Sequence, residues 1–402
     1  MATRTSDLVG QVHPAYTLDR DALLRYASAN VPGFPLSPSN FTVSQFGHGQ
    51  SNPTYLIEAS SWDSTKRYVL RKKPPGTLLE SAHAVEREFQ VLRALGVHTQ
   101  VPVPKAFCLC TDPNVIGTAF YIMEYLDGRI FIDPKLPVWH FCFDAVGVAP
   151  ERRSAIYQAT AKTLASLHST DVDAIGLGRY GRRDNYCKRQ VERWAKQYIA
   201  STGDGKPERN PKMLQLADWL RQHIPVEDSS GAIGGLVHGD FRIDNLVFHP
   251  LEDRVIGILD WELSTLGNQM CDIAYSCLHY IVDLGFGNGQ LDEGIEVAGI
   301  PEGIPSQAEY LAKYCSAAQD GHQQLLEAMT QQLQQISDSF KTLSISHGKR
   351  VEPSGGLGDP GDLGGSGGGL GEPGDPRGSG GVGDGESGGA GDMHSGSNGL
   401  PI

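Results

Sequence analysis

Apolar and polar positions along the chain follow two different periods. Leu18–Ala29 has the spacing of a short amphipathic helix, with Thr17 at its N-cap. The segment FTVSQFGHGQSNPTYLIEAS then predicts a strand, a turn rich in Gly, Ser and Asn, and a second strand. Arg67–Lys72 is a further strand, whose alternation puts Val69 and Arg71 on one face, with Lys73 in phase if the strand continues. Ala82–Leu95 reads as a helix with Val85, Phe89, Leu92 and Leu95 on its apolar stripe. Val101–Lys105, with alternating prolines, must be extended, and Val115–Tyr125 reads as two strands closing a small sheet.

Helices dominate the next part. Arg153–Ser169 turns Ile156, Leu164 and Leu167 inward, with His168 in a structural place near its end. Cys187–Ser201 and Pro211–Ile224 follow, the second with Pro in its first turn. Trp194 and Tyr198, one helical turn apart, are expected in the core. Asn245–His249 and Val255–Leu259 form two short β-branched-rich strands around a polar turn. After Asp260 come a loop and a helix, where Asp272 caps the helix start or hydrogen-bonds the loop before it. The pattern is that of an α+β protein.

Composition changes this picture at the C-terminus. From Pro353 onward, 21 of the chain's 49 glycines sit among seven acidic residues, one Arg and almost no large apolar side chains. Such a stretch cannot bury enough apolar surface to offset chain entropy, so residues 347–402 read as a disordered acidic tail. The net charge of -13, without basic clusters, argues against a nucleic-acid partner. Seven cysteines with no C-x-x-C pair fit reduced thiols inside a cell. With no apolar signal core and no run of 18 apolar residues, a soluble protein without a membrane partner is expected.

The candidate chemistry is concentrated in LVHGDFRIDNLVFHPLEDRVIGILDWE, from Leu236 to Glu262. Asp240 lies before the strand pair, Asn245 at its start and Asp260 just past its end. Three polar groups at one end of a hairpin suit phosphoryl transfer. One carboxylate accepts the proton of an attacking hydroxyl, while an amide and a second carboxylate hold Mg²⁺ on nucleotide phosphates. His238 and Asp240 are the candidate catalytic residues; Asn245 and Asp260 are the candidate metal ligands. Upstream, Gly47, Gly49, Gln50, Ser51 and Asn52 could lay backbone N–H groups over phosphates, since glycine has no Cβ to intrude. Arg71 or Lys73 would hold the phosphates, tied to Glu88 or, failing that, Glu86. Met123 and Tyr125 fall where backbone groups would meet the adenine.

These motifs, H-x-D-x-x-x-x-N followed by Asp260-Trp261-Glu262, resemble the aminoglycoside phosphotransferase and choline kinase branch of the kinases. Residues from about Val43 to Cys315 further resemble the phosphotransferase-like domain fused at the N-terminus of acyl-CoA dehydrogenases. SNPTYLIE, YVLRKKPPG, HAVEREF, YCKRQVERW, HGDFRIDNLVFHP and ILDWELSTLGN carry that match. The resemblance implies a bilobal protein-kinase-like fold: an N-terminal extension (1–40), a small antiparallel-sheet lobe (41–127) and a larger, mostly helical lobe (128–346). It implies ATP and Mg²⁺ and a small-molecule hydroxyl acceptor, a hydroxyacyl compound linked to fatty-acid β-oxidation. Relatives are associated with peroxisomes or mitochondria, although no address is visible here. Three departures stand out. Val138–Gly147 is an insertion expected as an aromatic-bearing loop, residues 316–346 are atypical and Gln-rich, and the Gly-rich tail stands where a dehydrogenase would begin. No FAD is therefore expected, and the chain reads as a truncated or alternatively joined form. The alternative reading is a catalytically impaired module that binds nucleotide or a partner.

Overall fold

A computed structural model describes residues 2–47, 52–74, 84–136, 138–141, 144–203, 207–231, 234–280 and 300–318. Its first elements are β1 (Ala2–Arg4), β2 (Val9–Gly10) and α1 (Arg20–Asn30). The cap of α1 is Asp19, whose side chain accepts from the Ala22 N–H, and not Thr17; such a cap contributes about 1 kcal/mol. Then come β3 (Asn40–Phe46), β4 (Thr54–Ser60), β5 (Thr65–Lys72), α2 (Val85–His98), β6 (Ala106–Cys110), the single turn α3 (Pro113–Ile116) and β7 (Phe120–Glu124). Strands pair antiparallel in the order β2-β3-β4-β5-β7-β6.

Residues 115–125 depart from the sequence reading of two strands. Asp112 caps α3, with Pro at its first turn, and Gly117 ends it at φ 87°, so only β7 is extended there. The sheet's last strand comes instead from Ala106–Cys110.

Residues 68–72 of β5 are buried on both faces. Tyr68 and Leu70 pack with Leu23 and Ala27 of α1 in one apolar cluster. Val69, on the other face, joins Phe89 of α2, Tyr121 and Met123 in the main core. Each such fully buried aliphatic side chain stabilises by roughly 1.5–3 kcal/mol. Arg71 lies on the Val69 face, as the period-2 alternation requires. That register carries a cation under the sheet toward the rest of the chain.

The larger part opens with β8 (Arg129–Phe131), β9 (Val138–Phe141) and β10 (Asp144–Gly147). The last two pair antiparallel, so the insertion expected as a loop is a hairpin. Next are α4 (Pro150–His168), α5 (Tyr186–Ser201), α6 (Pro211–Gln222), β11 (Gly234–Val237), β12 (Leu246–Phe248), β13 (Val255–Ile258), β14 (Thr265–Asn268), α7 (Met270–Ser276) and α8 (Gln307–Ala317). β12 and β13 form the expected hairpin, extended on the β12 side by β8 and then β1. β14, read as loop from the sequence, pairs with β11. Ile156, Leu164 and Leu167 of α4 are fully buried.

One core expectation is overturned. Trp194 is 43% exposed, because α5 buries Tyr186 and Ala195 instead. The Arg193 guanidinium lies 5.1 Å from the Trp194 ring centroid. On the last helix, α8, Tyr310, Leu311 and Tyr314 are buried in the main core, and Ser306 with Glu309 forms a capping box at its start. The Gln-rich segment and the Gly-rich tail lie outside the described residues. Among the described residues no helix is long and apolar enough to cross a membrane.

Candidate functional site

The loop between β11 and β12 is held from behind. Asp272, fully buried at the start of α7, accepts from the backbone N–H of His238 at 2.7 Å and of Gly239 at 2.8 Å. It also faces His168 Nε2 at 3.3 Å, and His168 Nδ1 meets the Tyr314 hydroxyl at 2.9 Å. Asp272 thus serves the loop, one of the two roles read from the sequence, and His168 is structural as expected. Gly239 has φ 87°, and a Cβ there would stand 2.8 Å from the Leu263 carbonyl oxygen. Only glycine combines that turn with so close a neighbour.

His238 is fully buried. Its Nε2–H donates to the Leu259 carbonyl at 2.8 Å, and Nδ1 accepts from the Asp240 N–H at 3.2 Å. The ring packs 4.7 Å from that of Trp261. The expectation of a catalytic histidine is corrected: no side of the ring is open to a substrate, and it fixes the chain just before Asp260 relative to Asp240.

Asp240 and Asn245 come together as expected, Asn245 Nδ2 donating to Asp240 Oδ2 at 2.8 Å. Asp260, just past β13, has φ 64°, a left-handed conformation uncommon outside glycine and frequent where function imposes strain. Arg71 reaches it from the sheet above, Nη2 to Asp260 Oδ1 at 2.6 Å. The same guanidinium lies 3.2 Å from Glu88 Oε2 and 3.3 Å from Glu262 Oε2. Glu88, 1% exposed, also accepts from Asn52 Nδ2 at 2.7 Å and from the Tyr121 hydroxyl at 2.9 Å.

The electrostatics follow from burial and these partners. Burial opposes the charge on Arg71, yet Asp260 and Glu88 hold its pKa well above the ordinary value. Burial raises the Glu88 carboxyl against the pull of Arg71. For Asp260 burial acts upward too, but the Arg71 charge and hydrogen bond win, and its pKa is lowered.

The structure distinguishes the two cation candidates. Arg71 pairs with Glu88 inside the site, whereas Lys73 pairs with Glu86 at 2.7 Å near the surface. Asn52 faces Glu88, and Gly47 donates its N–H to the Leu8 carbonyl at 2.9 Å. Gly49, Gln50 and Ser51 lie outside the described residues. Met123 is buried, and the Tyr125 hydroxyl meets Thr5 Oγ1 at 2.9 Å. The sequence reading missed Glu262 as a member of the site; its signal was a second carboxylate two residues after Asp260.

The group's fit to Mg²⁺ can be tested on its donors. Among the described residues no three His, Cys, Asp or Glu side chains form a protein-only metal cage. Mg²⁺ does not need one, since it takes one or two carboxylates together with phosphate and water oxygens. Asp260 and Asn245 supply oxygens of that kind, so the residues fit.

A small antiparallel-sheet lobe over a helical lobe, with an Asp–Asn–Asp set between them and an Arg–Glu pair above, defines a kinase-like phosphotransferase. The chain belongs to the phosphotransferase enzyme family, whose model matches residues 42–324. It is 70% identical over 318 residues to "Probable acyl-CoA dehydrogenase IBR3" of Arabidopsis thaliana, a match covering 79% of this chain and 38% of that protein. It is 42% identical over 319 residues to human "Acyl-CoA dehydrogenase family member 11", covering 78% of this chain and 37% of that one. The chain therefore spans less than two fifths of the length of these relatives. Among solved structures, a Ralstonia eutropha protein described as a candidate aminoglycoside phosphotransferase superposes with TM-score 0.59 at 42% identity, over 75% of this chain and 80% of that one. Choline kinase of Cryptosporidium parvum shares the fold at TM-score 0.50 and 17% identity, over 75% of this chain and 78% of that one.

Proposed function

We propose that this chain transfers the γ-phosphoryl group of ATP to the hydroxyl of a small molecule, a hydroxyacyl compound related to fatty-acid β-oxidation. The observation that carries the reading is the meeting of Asp240, Asn245 and Asp260 beneath Arg71. Asp240 accepts the proton of the attacking hydroxyl as its oxygen bonds to the γ-phosphorus and the bond to the bridging oxygen of the leaving ADP breaks. Asn245 and Asp260 would hold Mg²⁺, which when bound neutralises charge on the transferred group. Arg71, steadied by Glu88, turns from Asp260 to the nucleotide phosphates, for which a guanidinium fork is well shaped. Glu262 offers a further oxygen beside Asp260.

Tyr310 and Tyr314 bury α8 in the core of the large lobe, while the Gln-rich segment that would distinguish the impaired-module reading lies outside the described residues. A thermal-shift titration with Mg²⁺-ATP tests the proposal. At about 100 times its dissociation constant a ligand stabilises by roughly 2.7 kcal/mol, and Asp260→Asn is expected to lose the Mg²⁺-dependent part. Asp240→Asn is expected to keep nucleotide binding and lose most turnover, since general-base catalysis contributes about 10²–10⁴-fold. Equal loss of binding and turnover in that variant would contradict the assignment.

A further inference from the structure

Two thiols meet in the large lobe outside the site described above. Cys187, the second residue of α5, and Cys271, the second of α7, are 84 positions apart in the chain, with their sulfurs 3.7 Å from each other. Both are partly exposed, and neither is in a disulfide. The Asn268 side-chain amide also reaches Cys187 Sγ, at 3.7 Å. Among the described residues no group of three His, Cys, Asp or Glu side chains is placed to hold a metal. The chemistry on offer here is that of the thiols themselves.

Each cysteine adjoins a buried carboxylate anchor. Asp228 accepts from the backbone N–H of Cys187 at 2.8 Å and of Lys188 at 3.2 Å, which pins the start of α5. Cys271 directly precedes Asp272, whose two oxygens hold the N–H groups of His238 and Gly239. The sulfurs of a disulfide are about 2.05 Å apart, so closing this pair brings them together by about 1.6 Å. With α5 pinned, that movement is drawn from the start of α7, and so from the carboxylate that holds the loop before Asp240. The contact with Cys187, and then burial, keep the Cys271 thiol well above the usual range. Cys187 is therefore the sulfur that meets an oxidant first.

We propose that Cys187 and Cys271 form an oxidation site, closed to a disulfide by peroxides and reopened by dithiols, whose closure loosens the grip of Asp272 on the loop carrying His238 and Gly239. The Cys187 sulfur attacks one peroxide oxygen and the O–O bond breaks, giving a sulfenic acid and one water. The Cys271 sulfur then attacks the sulfenic sulfur and loses its proton. The S–O bond breaks, a second water leaves, and two thiols have passed two electrons and two protons to the peroxide. A dithiol reverses the change by thiol–disulfide exchange, itself becoming the disulfide.

The test treats the full chain with stoichiometric hydrogen peroxide and digests it without reductant. Mass spectrometry is expected to find the Cys187 and Cys271 peptides joined, and dithiothreitol should separate them. Amide hydrogen exchange is followed on the peptide spanning residues 236–241. Oxidation should speed exchange of its protected amides at least about tenfold, the change that losing one hydrogen bond to a charged acceptor gives, and dithiothreitol should restore the slow rate. Cys187→Ala and Cys271→Ala should each abolish both the joined peptide and the peroxide effect. Both readouts need no nucleotide or acceptor, so they stand or fall apart from the phosphotransferase reading. Failure of the two peptides to join, or joining of either cysteine to a different partner, overturns the site. Joined peptides with unchanged exchange overturn the coupling through Asp272, as does faster exchange that peroxide still produces in Cys187→Ala.

Discussion

Replacing Arg71 by Met isolates the ion cluster that joins the two lobes. In wild type one guanidinium faces Glu88 at 3.2 Å, Asp260 at 2.6 Å and Glu262 at 3.3 Å. Breaking a buried pair by removing one partner costs about 3–5 kcal/mol, because a charge is left uncompensated. Here the three acids differ in exposure. The side chains of Asp260 and Glu262 are 27% and 19% exposed and can recover water, whereas Glu88 at 1% cannot. The cost therefore falls near the lower end, about 3 kcal/mol. Removing the second charge should return most of it, so Arg71→Met/Glu88→Gln is expected within about 1 kcal/mol of wild type. Gln sheds the charge, keeps one oxygen for the Asn52 amide and turns its NH₂ to the Tyr121 hydroxyl, which can accept. Urea unfolding at pH 7 of wild type, the two single variants and the double variant gives the cycle. A loss below about 1 kcal/mol in Arg71→Met, or no recovery in the double variant, would refute the view that Glu88 depends on Arg71 for its charge.

Three further outcomes are expected. Lys73→Met should cost less than about 1 kcal/mol in urea unfolding and leave Mg²⁺-ATP affinity close to wild type, since the Lys73–Glu86 pair is partly exposed; a large loss of affinity would return the phosphate role to Lys73. His279, held near a pKa of about 4 by burial against an ordinary 6.5, is a depressed base, so the unfolded chain binds its proton first as the pH falls. Its contribution is complete above pH 6.5 and is lost toward pH 4, by roughly 3 kcal/mol, and His279→Gln should flatten unfolding free energy against pH across that window. Gly239→Ala meets both a positive φ and the Leu263 backbone; it should lower the melting temperature and abolish turnover, and near-normal turnover would show that the loop can relax.

Much of the fold was legible because its signals are local. Alternation placed Arg71 on the Val69 face of β5, and the spacing of Asp240, Asn245 and Asp260 around a β-branched hairpin marked the site before any contact was known. Local pattern also has local failures. The segment 115–125 read as two strands, but Asp112, Pro113 and Gly117 supply the cap, start and stop of a helical turn over Pro113–Ile116. Trp194 looked like core because the amphipathic stripe of α5 does not say which side a neighbouring element will cover.

What the sequence by itself determined was the chemistry available and the face on which each group stands. Tertiary structure decided which groups meet. Arg71 and Asp260 are 189 positions apart, so no periodicity could choose Arg71 over Lys73, two residues along with the same charge. Burial made that choice by placing one beside Glu88 under the sheet and the other beside Glu86 near solvent. It likewise enclosed His238 as a brace for the loop and brought Glu262 into the site. Pairing of charges depends on distance and on exclusion of water, and both are set only when the lobes are packed.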